Sequence, residues 1–317
     1  MKVIEHIRTA KKPLFSIEIL PPLKGMSIDS IYDAIDPLLD FDIKFIDVTY
    51  HREEYVWRKK PDGTEEKVAI RKRPGTVGIS AAILNKYKID TVPHLICGGF
   101  SKEETENALI ELTFHGIDNV LAIRGDKIKS EHRWTPQPDG HHHAIDLVKQ
   151  VVSMNKGAYL DGDLMDATPT NFCIGVAAYP EVHFEAKTLE ADMEFLKQKI
   201  AAGADYIVTQ MFFDNAKFFS FVDKCRAMGI MVPIIPGLKV LTTKRQVKGL
   251  PEIFSIDLPE EFLNELEKCT TDKEVKEVGI EWCINQSKEL YRSNVPVLHF
   301  YTMGTSDSTK RVVEKVF

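Results

Sequence analysis

Apolar residues along this chain gather into short runs that end in proline, glycine or polar residues. Between them lie longer stretches with the i, i+3/i+4 spacing of helices. Three segments share one grammar: FHGIDNVLAIRGD (114–126), AAGADYIVTQMFFD (201–214) and RAMGIMVPIIPGL (226–238). In each, a glycine closes a helix, the chain turns within a few residues, and a buried apolar strand follows. That is the αβ half of a βαβ unit, used repeatedly. LFSIEIL (14–20), KFIDVTY (44–50), TVPHLIC (91–97), 172–179 and VPVLHFY (295–301) complete eight predicted strands. Helical patterns fill the gaps at 28–40, 66–87, 102–116, 142–155, 186–202, 215–228, 259–293 (broken near Thr270) and 305–315. Eight alternating strands and helices predict an α/β fold of the (β/α)8 TIM-barrel type. A doubly wound Rossmann sheet is the rival, but no GxGxxG follows any predicted strand.

No linker rich in Pro, Gly and Ser divides the chain, so one domain over 1–317 is expected. Two charged excursions, 52–75 after the second strand and 127–141 after the fourth, are read as loops at the barrel's upper face. The formal charge of −6 and the scattered basic residues argue against nucleic acid as a main partner. No apolar run reaches the roughly 20 residues of a membrane span. The N-terminal MKVIEHIRTAKK lacks a secretory h-region. Cys97, Cys173, Cys225, Cys269 and Cys283 are odd in number and form no CxxC. Reduced thiols in a cytoplasmic protein are therefore expected.

The C-terminal ends of barrel strands collect into one ring. Here those ends supply Glu18, Thr49-Tyr50, His94, Arg124-Gly125-Asp126, Tyr179 with His183, Gln210, Gly237 with Lys239, and His299. Such a ring suits a polar, planar, heteroaromatic ligand. Segment 173–187, CIGVAAYPEVHFEAK, is its richest part: a buried strand stops at Tyr179-Pro180 and alternating charge follows. Glu18 lies within FSIEILPP, where alternation sets Ser16, Glu18 and Leu20 against Phe15, Ile17 and Ile19. A carboxyl turned into a barrel has its pKa raised by burial and becomes able to donate a proton near neutral pH. The competing reading is a structural glutamate in a buried ion pair. His94 alone reads as a core histidine as readily as a ligand, and Arg-Gly-Asp as a solvated turn. His141, His142 and His143 lack a carboxylate or thiolate to complete a metal site, so no metal is expected. On the helix after 187, Leu189, Met193, Leu196 and Ile200 form a packing stripe. Asp192, Phe195 and Lys199 form a second stripe, solvated unless a cofactor tail runs along it.

FSIEILPP, DVTY, PHLIC, LAIRGD, VAAYPEVHFEAK, TQMFFD, IIPGL and HFYT occur in this order over about 14–303. Together they resemble methylenetetrahydrofolate reductase, a flavin-dependent (β/α)8-barrel family of folate metabolism. The resemblance implies ping-pong hydride transfer from NADH or NADPH to FAD, and then to 5,10-methylenetetrahydrofolate. The product, 5-methyltetrahydrofolate, supplies methyl groups for methionine synthesis. It implies Glu18 as general acid, and Asp126 beside flavin and pterin. Gln210 matches the pterin-binding glutamine, and Gln246 and Arg292 match further folate contacts. It implies FAD contacts at Thr49, Tyr50, His94, Arg124, Gly125, Asp126, Tyr179, His183, Ala186, Asp192 and Lys199. A homo-oligomer is expected by resemblance alone. The length is similar to the bacterial catalytic form, so adenosylmethionine regulation is not expected.

Several positions depart from the family pattern. His51 and Arg52 follow VTY in place of small residues, and His143 stands where a flavin-contacting tyrosine often occurs. Phe195 and Gln198 replace an amide and a basic residue. Two other classes remain open. A flavin-free pterin barrel for methyl transfer would show turnover without flavin. A non-catalytic binding barrel would be indifferent to Glu18→Gln.

Overall fold

The computed structural model describes residues 1–128, 131, 133–181 and 188–317. Its first half runs α1 (Val3–Thr9), β1 (Leu14–Ile19), α2 (Asp29–Ile35), β2 (Phe45–Val48), β3 (Glu54–Lys59), β4 (Glu65–Ile70), α3 (Thr76–Tyr87), β5 (Asp90–Ile96), α4 (Lys102–Phe114), β6 (Asn119–Ile123) and α5 (Ala144–Met154). Then come β7 (Cys173–Ala178), α6 (Leu189–Ala201), β8 (Tyr206–Thr209), α7 (Asn215–Ala227), β9 (Ile234–Ile235), β10 (Gly237–Leu238), α8 (Lys244–Phe254), α9 (Glu260–Glu267), α10 (Asp272–Arg292), β11 (Val297–Tyr301) and α11 (Asp307–Val316). The parallel strands run in the order β10-β11-β1-β2-β5-β6-β7-β8-β9. β9 pairs with β8 and β10 with β11. Pro236, which has no N–H for the ladder, separates these two halves of one strand. The nine strands therefore fill eight positions of a (β/α)8 barrel.

Alternation along the strands sorts the core into two layers. Phe15, Ile17, Ile46, Val48, Leu95, Val120, Ile174, Val176, Ile207, Leu298 and Phe300 point outward and pack under the helices. Leu14, Phe45, Val92, Leu121, Cys173, Tyr206, Ile235 and Val297 fill the lower half of the interior. α1 closes that end, with Ile4 and Ile7 against the inner cluster. Asn119 Oδ1 accepts from the Val3 amide at 2.8 Å, and Asp90 binds the N-terminal ammonium and His6 at 2.7 Å each. Above this apolar floor the inward positions turn polar, beginning with Ser16, Asp47, His94 and His299.

The helix predicted over 66–87 is corrected. Residues 65–70 instead pair antiparallel with 54–59, and the helix starts at Thr76, after Pro74 and with Gly75 as N-cap. Arg58 faces Glu66 and Lys59 faces Glu65, so opposite charges meet across the hairpin. Its turn holds Asp62-Gly63, with Gly63 at φ 84° and Asp62 Oδ1 accepting from the Thr64 amide at 2.9 Å. α1 and α8 are helices that the apolar pattern did not reveal. The predicted break near Thr270 is present, where α9 ends and α10 starts behind a Thr271 cap. α4 opens on a capping box: Ser101 Oγ accepts from the Glu104 amide at 3.1 Å, and Glu104 accepts from the Ser101 amide at 2.8 Å. Ser101→Ala is expected to cost about 1 kcal/mol, read as a lowered denaturation midpoint with an unchanged m-value.

Candidate active site

The upper interior of the barrel is built from inward positions of four strands. β1 gives Ser16 and Glu18, β2 gives Asp47, β5 gives His94, and β11 gives His299 and Tyr301; Tyr206 of β8, in the floor below, lies within electrostatic reach of Asp47. The register sets Glu18 beside Asp47 on one side and Tyr301 on the other. The alternation predicted for FSIEIL is thus the one observed, and Glu18 faces inward. β7 makes room by carrying Gly175, where a Cβ would lie 2.5 Å from the Tyr206 ring.

His94 Nε2 lies 3.3 Å from Asp47 Oδ2 and 3.7 Å from Glu18 Oε2. Burial raises the Glu18 pKa to about 7; His94 and Lys239 oppose the rise and Asp47 adds to it. Burial likewise lifts Asp47 to about 7, against the pull of His299. The same burial lowers His94. Desolvation therefore outweighs mutual attraction, and around neutral pH Glu18 is poised between carboxylic acid and carboxylate beside an imidazole that burial holds toward its neutral form. Of the two sequence readings, a plain ion pair is the one this balance disfavours. Lys239 donates to the Tyr301 carbonyl at 2.9 Å, and burial lowers it to about 8. Ser16 Oγ and His299 Nδ1 are 2.8 Å apart. Asp47 Oδ1, His299 Nε2 and the Tyr206 hydroxyl are buried without a hydrogen-bond partner among the described residues.

The rim stands above this interior. Tyr50 packs on Phe100, ring centroids 4.5 Å apart, and Arg124 lies 4.9 Å from the Trp134 ring centroid. Tyr179 hydrogen-bonds Gln210 and lies within electrostatic reach of Asp126, Arg124 and Asp192. Gly125 adopts φ 81°, open to glycine at little cost, and turns the chain between Arg124 and Asp126. Two excursions are tied across the rim. Arg52 makes a bidentate pair with Glu131, 3.0 Å on each arm, both side chains largely buried. Glu181 takes Lys217 and the Asp257 amide, joining the segment after β7 to that after α8.

Most predicted residues converge on this end: Glu18, Thr49, Tyr50, His94, Arg124, Gly125, Asp126, Tyr179, Asp192 and Gln210. His183 and Ala186 lie outside the described residues. Lys199 turns inward, donating to the Ala177 carbonyl of β7 at 2.6 Å. Gln246 sits in the first turn of α8, above β10, where its Oε1 accepts from the Thr242 amide at 2.8 Å. Arg292 is corrected. It closes α10 just ahead of β11, so it lies at the end of the barrel where strands begin, opposite Glu18. Asp47 was missed, although Phe45, Asp47 and Thr49 alternate on one face of KFIDVTY. His141 bonds Gln150 at 2.5 Å, and no cluster of His, Cys, Asp and Glu among the described residues could hold a metal ion. No helix among them is long and apolar enough to cross a membrane.

Fold and site define a (β/α)8 barrel with an ionisable, acid-bearing upper interior under a rim of aromatic and charged groups. Residues 2–316 match the family model described as methylenetetrahydrofolate reductase, and the chain belongs to that family. It is 32% identical over 313 residues to methylenetetrahydrofolate reductase 1 of Schizosaccharomyces pombe, covering 98% of this chain and 47% of that one. It is 30% identical over 295 residues to the 5,10-methylenetetrahydrofolate reductase of Pectobacterium carotovorum, covering 92% of this chain and 86% of that one. The chain thus spans about half the length of the yeast relative. A solved Clostridium thermocellum protein, described as binding two copies of 5-methyl-5,6,7,8-tetrahydrofolic acid, shares the fold. Its TM-score is 0.62 at 14% identity, with 99% of this chain and 97% of that one covered.

Proposed function

We propose that this barrel reduces 5,10-methylenetetrahydrofolate to 5-methyltetrahydrofolate, with NADH or NADPH as electron donor and FAD as cofactor. The single observation carrying this reading is the inward-facing Glu18 at the strand ends, whose pKa burial raises into the neutral range. FAD supports the reading on the donor set. The Thr49 hydroxyl is buried with no partner among the described residues. Arg124 and Lys199 supply positive charge for phosphates, and an ammonium has two donors left after one carbonyl. Thr49, Tyr50, His94, Arg124, Gly125, Asp126, Tyr179, Asp192 and Lys199 would hold the cofactor, with His183 and Ala186 on the neighbouring segment. When bound, FAD would carry hydride equivalents between nicotinamide and folate.

The chain's own residues handle protons and position. Glu18 gives a proton to the substrate amine as the five-membered ring opens to the iminium, which then accepts hydride. Gln210 offers two donors and an acceptor to the pterin edge. Asp126 places negative charge at the rim, favouring cationic character in the opened substrate. Gln246 offers its amide NH2, its oxygen being taken by Thr242. The methyl product would serve methionine synthesis. Five free cysteines, all buried, accord with a reducing, cytoplasmic setting. A homo-oligomer is part of the same reading.

The purified protein is expected to be yellow, to bleach on anaerobic addition of NADH or NADPH, and to regain colour when the folate is added. Colourless protein that FAD cannot reconstitute would overturn the assignment. Methyl transfer without flavin would decide for a pterin methyltransferase.

A further inference from the structure

One nitrogen in the barrel serves two acids. His94 Nε2 is 3.3 Å from Asp47 Oδ2 and 3.7 Å from Glu18 Oε2. A neutral imidazole has a single proton to place, so it cannot donate to both. The Asp47 side chain is only 1% exposed. Its other oxygen, Oδ1, has no partner among the described residues. A carboxyl so buried is costly unless it is neutral or paired. Among the described residues the groups around Asp47 and Glu18 are Ser16 on β1, His94 on β5, Tyr206 on β8, Lys239 beyond β10, and His299 and Tyr301 on β11. Lys239 is turned to the Tyr301 carbonyl and Ser16 to His299. Neither binds Asp47. Among the described residues no lysine or arginine binds Asp47, its partners being the imidazoles of His94 and His299, and the position reads as a store for a proton.

We propose that Asp47 is a positioning residue for Glu18, returning a proton to it through His94 Nε2. This rests on the assignment of Glu18 as the acid. After Glu18 has given its proton to the substrate, the Asp47 O–H bond breaks and an Nε2–H bond forms. That bond breaks in turn as the proton passes to Glu18. The imidazole ends neutral, Asp47 ends as a carboxylate that regains its proton from solvent once the site empties, and no electrons move. The resting His94 is the tautomer with its proton on Nδ1, leaving Nε2 as acceptor. The lowered basicity of this buried ring makes its cation short-lived, as a relay requires. Two carboxyl groups coupled in this way titrate as a pair.

The test is an infrared titration of the carboxyl C=O band. It is run on wild type, Asp47→Asn and Glu18→Gln, beside the pH profiles of the two half-reactions. Wild type is expected to gain two carboxyl protons around neutral pH. Asp47→Asn should gain one, and its Glu18 midpoint should fall by roughly one pH unit because a like charge is gone. The alkaline limb of folate reduction should move down with it, while reduction of the cofactor by NADH keeps its rate. An unchanged Glu18 midpoint and limb in Asp47→Asn would overturn the relay. Full folate reduction by Glu18→Gln would instead overturn the acid assignment beneath it, so the two failures are told apart. Should Asp47→Asn not fold, the other two proteins decide. A neutral-range carboxyl that persists in Glu18→Gln supports the relay, and a single-proton titration in wild type refutes it.

Discussion

Glu18→Gln should keep FAD and its reduction by NADH, yet lose reduction of the folate by a factor on the order of 10³, within the range typical of general acids. The substitution preserves shape and removes only the proton. A loss of that size corresponds to about 4 kcal/mol of transition-state stabilisation. It is read in stopped-flow experiments that follow the two half-reactions separately. The pH dependence carries the same sign. Burial holds the Glu18 pKa up at about 7, so the acid form dominates below that value and is lost as pH rises through it. Wild-type folate reduction should therefore decline above neutral pH, while the donor half-reaction has no such limb from Glu18. Wild-type folate turnover in the variant would leave Glu18 a structural residue.

Glu18 was legible because β1 alternates cleanly. One strongly polar residue among Phe15, Ile17 and Ile19 has to point the other way. Asp47 obeys the same rule but was hidden by the brevity of β2, four residues with apolar neighbours on both sides. Its chemistry depends on His94 from β5 and His299 from β11, and no local pattern reports a contact across a barrel. The hairpin was misread for a related reason. Glu65-Glu66-Lys67-Val68-Ala69-Ile70 suits a helix by propensity, and cross-strand pairing with 54–59 overrides it. Asp62-Gly63 was the available signal. The placement of Arg292 was open to objection from the order of elements alone. A residue that ends a helix and precedes a strand by a few positions belongs to the face where strands start. The lower half of the fold, apolar and periodic, could be read from the chain. The upper half, where polar residues break the pattern, needed the register.

The largest structural effect expected from adding a single methyl group is at Gly279, within α10. There a Cβ would lie 2.9 Å from the Leu241 carbonyl carbon and closer still to its oxygen. Backbone cannot rotate away as a side chain can, so helix and segment must separate. Replacing a helical glycine by alanine ordinarily gains up to about 1 kcal/mol. Overpacking a tight contact costs about 1–3 kcal/mol, and the upper end applies where the neighbour is backbone. Gly279→Ala should thus be net destabilising by about 2 kcal/mol, lowering Tm by roughly 3 °C in a chain of this size. Gly249, inside α8, has nothing within 4 Å of its added Cβ. The same substitution there should raise Tm slightly. The consequence at Gly279 extends to the site, because Leu241 stands between Lys239, which braces the Tyr301 carbonyl, and Thr242, which holds Gln246. Displacing that segment should raise the KM for folate in Gly279→Ala and leave the KM for NADH unchanged. Equal Tm values for the two alanine variants would show that α10 and the 239–242 segment can part freely, and that their contact does not set the position of Lys239.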